Sequence, residues 1–238
     1  ALGNPLGQAN ALNLEGNIFS LSLEYTQVAQ LNHKALELVR QVGDKPREAE
    51  ILSAVATAYR NLGKYPQAIE FYVQSQKIYQ ILNDRAGQGL ILKNIADVRL
   101  AQGQNREALT IYEQARVIYE DLTRLANAKP SDRQTLAGIL TGQGSLYTSF
   151  SQYPKAITTL KEAQALYQSL GDRQGKGVAS LYLVQVYLQL EDREKIGDIL
   201  KELPELTKNS PQLRQMAESL VGLANNNSLR STNPQTQL

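Results

Sequence analysis

The chain copies itself at a fixed interval, and this constrains its fold more than any other feature. Gly43-Asp44-Lys45-Pro46-Arg47-Glu48-Ala49 aligns with Asn83-Asp84-Arg85-Ala86-Gly87-Gln88-Gly89. Ser131-Asp132-Arg133-Gln134 and Gly171-Asp172-Arg173-Gln174-Gly175-Lys176-Gly177 continue the series. The four aspartates stand 40, 48 and 40 residues apart, and Gly3 to Ala9 is another copy 40 residues before Gly43. A second series, Glu24-Tyr25, Lys64-Tyr65, Gln104-Asn105, Gln152-Tyr153 and Asp192-Arg193, falls at 40, 40, 48 and 40. Both place an eight-residue insertion between the third and fourth copies, around Leu125 to Pro130.

Each copy reads as a helical hairpin. Leu52, Val55, Ala56 and Tyr59 recur at the spacing of one helical face. Gly63 suits the left-handed residue that ends a helix, and Pro66 falls near the first position of the next, where its missing N–H costs nothing. Ala68, Ile69, Tyr72, Ser75 and Ile78 form the inward face of the second helix. The turn aspartate then caps the following helix through an orphan amide. The units run over about 3–43, 44–83, 84–131, 132–171 and 172–210, giving an array over 1–210.

Val55, Ala56, Tyr59, Gly63, Tyr65, Ala68, Tyr72 and Ser75 resemble the tetratricopeptide signature of small and aromatic residues. Ile95, Ala96, Gly103, Ala108, Tyr112 and Ala115 carry it in the third copy, and Gly144, Tyr147, Tyr153, Ala156 and Ala163 in the fourth. The first copy offers Gly16, Phe19, Tyr25 and Ala35; the fifth is weakest, with Ile196 in place of the small alanine. The long unit without a closing proline is similar to the 40-residue subtype of kinesin light chains, Pins-type adaptors and bacterial Rap-like regulators. The resemblance implies an all-α, right-handed α-solenoid of about five hairpins, with the first helix of each lining a concave groove. It also implies an interaction scaffold that binds a peptide or helix of a partner protein. The alternative is a regulatory or sensor module of a larger signalling protein.

On that reading, the groove positions are Asn13 and Asn17 in the first unit and Ser53, Thr57 and Arg60 in the second. Lys93 and Asp97 follow, then Thr141 and Ser145, then Leu181 and Gln185. Amide and hydroxyl side chains can donate to and accept from the backbone of an extended peptide. Arg60, Lys93 and Asp97 add charge. The Lys and Arg set of a C-terminal carboxylate clamp is not matched, since Gly138 and Gly142 stand in the corresponding places. The insertion is read as lengthening the third and fourth units' helices or as a surface loop.

Composition removes other classes. The net charge of +2 comes from 25 basic and 23 acidic residues, without the basic stripe that nucleic acid needs. No run approaches the length of a membrane helix. There is no cysteine and a single histidine, His33, so neither a disulfide nor a Cys- or His-rich metal site can be assembled, and no cofactor is expected. Gly142-Gln143-Gly144 and Gly171 to Gly177 lack the spacing of phosphate-binding loops. No nucleophile–base pair emerges, so an enzyme is not expected, and nothing fixes the compartment. At the ends, Leu213, Met216, Ala217, Leu220 and Leu223 predict a capping helix over 211–224. Residues 225–238 read as a disordered polar tail. The turn-like copy at Gly3 to Ala9 suggests an array begun further upstream, and open array ends allow self-association.

Overall fold

The structure, a computed structural model, describes residues 4–21 and 23–231, with side chains for all of these but 17, 20, 21 and 223–231. The described residues hold eleven α-helices and no strand. In chain order these are α1 (Pro5–Leu21) and α2 (Tyr25–Val42), α3 (Lys45–Asn61) and α4 (Tyr65–Ile81), α5 (Arg85–Ala101) and α6 (Asn105–Arg124). There follow α7 (Pro130–Ser149) and α8 (Tyr153–Leu170), α9 (Arg173–Gln189) and α10 (Arg193–Thr207), and α11 (Pro211–Ser231). The chain is all-α, of the α-solenoid class. It divides into two compact units, Ala1–Tyr119 and Glu120–Leu238. In the first, α1 lies on α2, α2 on α3, α3 on α4 and α4 on α5. In the second, α7 lies on α8, α8 on α9 and α9 on α10, while α11 lies on both α9 and α10.

Every second helix starts where the second sequence series requires: at Tyr25, Tyr65, Asn105, Tyr153 and Arg193. The backbone repeats with the sequence. Two residues before each start stands a left-handed residue: Leu23, Gly63, Gly103, Ser151 and Glu191, with φ between 56 and 74°. Gly43, Asn83 and Gly171 play this part between hairpins. A left-handed turn costs a residue bearing Cβ about 1–2 kcal/mol, so glycine suits it. An added Cβ at Gly63 meets no atom within 4 Å, so the preference there is conformational and not steric. Gly63→Ala is expected to lower stability by about 1 kcal/mol, and Glu191→Gly to raise it by roughly half that, since glycine also gains freedom in the unfolded chain. Chemical denaturation of both variants checks the opposite signs.

The helix starts are capped as the turn motif predicts, with one exception. The backbone N–H groups of Arg47, Gly87 and Gly175 donate to Asp44, Asp84 and Asp172 at 3.1, 2.9 and 2.8 Å. Asp132, aligned with these aspartates, does not hold the cap position. α7 starts earlier, after Lys129, and Asp132 in its first turn accepts the Lys129 N–H at 3.3 Å. The insertion is the reason. α6 has 20 residues where α4 has 17, and α7 has 20 where α3, α5 and α9 have 17. The remaining two inserted residues lengthen the link 125–129. Pro130 opens α7 because its fixed φ fits a first helical position.

Both helices of a hairpin feed the core, and the second helices do so through a repeated stripe. Ala68, Tyr72, Ser75 and Tyr79 of α4 are buried, as are Ala108, Tyr112, Ala115 and Tyr119 of α6 and Ala156, Leu160, Ala163 and Tyr167 of α8. The spacing i, i+4, i+7, i+11 keeps a small–large–small–tyrosine stripe on one side of each helix. The small positions admit a neighbour's backbone, and Ser75 Oγ donates to the Ala49 carbonyl at 2.7 Å. Burial, with the charges of Glu50 and Asp84, pushes the Tyr79 hydroxyl up to about 12. Because the folded-state value lies above the ordinary 10, this hydroxyl's contribution is fully present below pH ~10 and is lost as pH rises toward ~12. Tyr79→Phe is expected to flatten the stability profile across that window, as read by denaturation midpoints at successive pH values.

At the C-terminal end, Leu213, Ala217 and Leu220 of α11 join the apolar cluster of α8, α9 and α10. α11 continues to Ser231, beyond the boundary at 224 expected from sequence, and takes in the first part of the polar tail. No proline or glycine interrupts the chain between Gly222 and Pro234, so the periodicity fades before the helix does. The rest of that tail, 232–238, and Gly3 of the N-terminal turn copy lie outside the described residues.

Candidate partner-binding face

The first helices of the Ala1–Tyr119 unit bring most of the predicted polar positions to half-buried places. Asn13 lies on α1 and donates through Nδ2 to Oδ1 of the buried Asn32 at 3.1 Å. Asn17 lies on the same helix, but its side chain is outside the described residues. Ser53 and Thr57 lie on α3, where Thr57 Oγ1 donates to the Ser53 carbonyl at 2.9 Å and stands 2.9 Å from the Tyr72 hydroxyl. Asp97, one repeat after Thr57, accepts a hydrogen bond from the Tyr112 hydroxyl. These two positions are therefore polar for a reason internal to the hairpin: each anchors the tyrosine of its own second helix. Burial raises the Tyr72 hydroxyl above its ordinary value, only partly offset by the Arg60 charge and the Thr57 hydrogen bond.

The charged residues converge. Arg60 Nη1 on α3 lies 3.1 Å from Asp97 Oδ2 on α5, and Lys93 Nζ reaches the same oxygen at 2.8 Å. All three side chains keep about a quarter of their surface exposed (26, 25 and 22% for Arg60, Lys93 and Asp97). Two cations share one carboxylate, so the cluster bears a residual positive charge while tying α3 to α5.

Between them α1 and α3 leave an open cleft of about 390 Å³, lined by Asn10, Asn13, Leu14, Arg47, Glu50, Ile51 and Ala54. Leu14 is 63% exposed. Amides, charges of both signs and an uncovered leucine meet in one depression. Of these residues only Asn13 was singled out from the sequence. Asn10 stands at i−3 from Asn13, and Leu14 at i+4 from Asn10, a signal the alternating-polar reading passes over.

In the Glu120–Leu238 unit the predicted positions divide. Ser145 and Gln185 are half-buried on α7 and α9. Thr141 is not available to a ligand: it is 7% exposed, and its hydroxyl donates to the Ala137 carbonyl at 2.8 Å. Leu181 is 2% exposed and belongs to the core. Both fall on the inward side because the residues around them are apolar enough to draw that face into the hairpin. The described residues contain no group of three or more side chains suited to a metal ion, and none of their helices is long and apolar enough to cross a membrane.

Comparison with known proteins agrees with this architecture. The family model described as Tetratricopeptide repeat matches residues 7–81 and 49–121. No curated protein matches the sequence. Among solved structures, a Rap protein complexed with competence and sporulation factor superposes with a TM-score of 0.72 at 17% identity, covering 84% of this chain and 54% of that one. The apo form of the quorum sensor NprR from B. thuringiensis gives 0.72 at 18%, covering 92% and 59%. A Podosopora anserina putative kinesin light chain with nearly identical TPR-like repeats gives 0.63 at 15%, covering 88% and 99%. The chain thus spans little more than half the length of the Rap and NprR chains. With hairpins repeating at 40 residues, left-handed turns at fixed places and the family model matched over residues 7–121, the first three hairpins of the chain are tetratricopeptide repeats.

Proposed function

We propose that the chain is an interaction scaffold and not an enzyme, and that the first-helix face of its Ala1–Tyr119 unit holds a segment of a partner protein. The observation that carries this reading is the cleft between α1 and α3, where Leu14 stands uncovered among Asn10, Asn13, Arg47 and Glu50. Such a mixture suits a polypeptide. The amides exchange hydrogen bonds with its backbone, an apolar side chain covers Leu14, and the Arg60–Asp97–Lys93 cluster discriminates by charge. That a similar Rap protein is complexed with competence and sporulation factor supports the reading by analogy of fold alone.

A sensor role is the second reading, favoured by one contact. The Arg60–Asp97 bridge joins consecutive first helices, so a ligand that takes Arg60 from Asp97 changes how α3 is held to α5. A similar fold occurs in the quorum sensor NprR and in a STAND protein with a tetratricopeptide repeat sensor from Pyrococcus horikoshii. The scaffold reading is tested by affinity capture from a native extract, comparing wild type with a Leu14→Glu, Asn13→Ala double variant. A partner that is retained by wild type and lost from the folded variant supports the face; equal capture by both removes it.

A further inference from the structure

The first helices of the Ala1–Tyr119 unit carry charges that the repeat does not require. Glu50 stands at the place held by Asn10 in α1 and Leu90 in α5. Lys93 stands where Asn13 and Ser53 do, and Arg60 where Ser20 and Leu100 do. Neighbouring hairpins have neutral residues at all three places, so the fold alone does not call for these charges.

The two ends of α3 differ in sign. Near its start, Glu50 is exposed and lines the α1–α3 cleft. Its electrostatic neighbour among the described residues is the Tyr79 hydroxyl, which is uncharged at neutral pH. Arg47, the cation of the same cleft, is already 3.5 Å from Asp44. Arg40 and Lys45 meet on Glu48, which lies nearly opposite Glu50 around the helix, at about 100° per residue. Glu50 thus has no cation of its own among the described residues. At the far end the balance is reversed. Arg60 and Lys93 share one oxygen of Asp97, and the other oxygen accepts the neutral Tyr112 hydroxyl. One cation balances Asp97, and the second is in excess. The Lys93 ammonium has further N–H groups to give, and 25% of its side chain is exposed.

The geometry points to a partner segment that is itself charge-polarised. It is an extended stretch with a lysine or arginine over Glu50 and an aspartate or glutamate against Lys93 and Arg60. An apolar residue beside the basic one covers Leu14. This rests on the reading of the α1–α3 face as the one that holds the partner. The spacing follows from α3: Glu50 and Arg60 are ten residues apart, about 15 Å along the axis and about 80° around it. The two charges are therefore about 15–20 Å apart, which an extended chain spans in about four to six residues at roughly 3.3 Å each. A segment of the reversed polarity meets like charge at both ends and is rejected.

The experiment selects binders to the full chain from a displayed random-peptide library, then titrates them as synthetic peptides with both ends blocked, so that terminal charges take no part. The Leu14→Glu, Asn13→Ala variant identifies those that use the face. These are expected to carry a basic and an acidic residue about four to six positions apart. Glu50→Lys should weaken them by about fivefold or more, and exchanging the peptide's basic residue for glutamate should restore the loss. Lys93→Gln removes the excess charge but leaves the Arg60–Asp97 bridge; it should weaken the same peptides by about threefold and leave unchanged those whose acidic residue is replaced by its amide. Circular dichroism establishes that both variants are folded. Face-dependent peptides without the charge pattern, or indifferent to Glu50→Lys, overturn this inference and leave the binding face standing. Peptides that all bind the Leu14→Glu, Asn13→Ala variant as well as wild type, or a selection that yields none, overturn the face and this inference together.

Discussion

Replacing Gln143 with leucine is expected to stabilise the protein by about 2 kcal/mol. The Gln143 side chain is 1% exposed, and neither its amide nitrogen nor its oxygen has a hydrogen-bond partner among the described residues. Leaving a buried polar group unpaired costs roughly 1–3 kcal/mol, and here one side chain has two such atoms. The repeat supplies the comparison. Val55 and Ile95 stand at the same place in earlier hairpins and Leu183 in the next, and all three are buried. Leucine is close to glutamine in volume, so the change removes the polar atoms without opening a cavity. Thermal unfolding of Gln143→Leu should shift upward by several degrees. An unchanged or lower midpoint would mean that this amide is satisfied in solution.

The opposite effect is expected at Gly175. A Cβ there would lie 2.3 Å from the ring of Tyr167, which is only 8% exposed. Gly87 stands in the same relation to Tyr79, with a clearance of 2.4 Å. These approaches let the last tyrosine of a second helix lie flat against the start of the next first helix. Overpacking of this kind costs about 1–3 kcal/mol, while alanine regains nearly 1 kcal/mol of helix propensity. Gly175→Ala is therefore expected to destabilise by up to about 2 kcal/mol net. Gly197, inside α10 with open space where its Cβ would be, is the control: Gly197→Ala should stabilise by roughly 0.5–1 kcal/mol. If the two substitutions moved the denaturation midpoint in the same direction, the tyrosine contact would not be the cause.

Much of the fold was legible because local rules and the repeat say the same thing. Tyr25, Tyr65, Asn105, Tyr153 and Arg193 begin helices in the structure as their spacing requires, and the left-handed residues recur in step even where Leu23, Ser151 and Glu191 replace glycine. What the sequence hid follows from packing. Asp132 matches the turn motif by alignment, yet Pro130 starts the helix first and moves the aspartate into its first turn. Thr141 has the composition of a solvent-facing residue but turns inward, since its hydroxyl satisfies itself on the Ala137 carbonyl of its own helix. Asp97 looks like a free charge until Tyr112, Arg60 and Lys93 are seen to meet on it. Gln143 could have been found beforehand by comparing columns of the repeat, where it interrupts the apolar series Val55, Ile95 and Leu183.

The proposal for the α1–α3 face has its most direct test in site-specific photo-crosslinking of the chain with its captured partner. A photoreactive side chain at Asn13 or Ser53 on the first helices should yield one crosslinked partner segment. The same group at the exposed Lys77, on the second helix α4, should yield none. Crosslinks that arise from Lys77 and not from Asn13 or Ser53 would contradict the account, because the partner would then lie on the second helices and the cleft beside Leu14 would have no part in holding it.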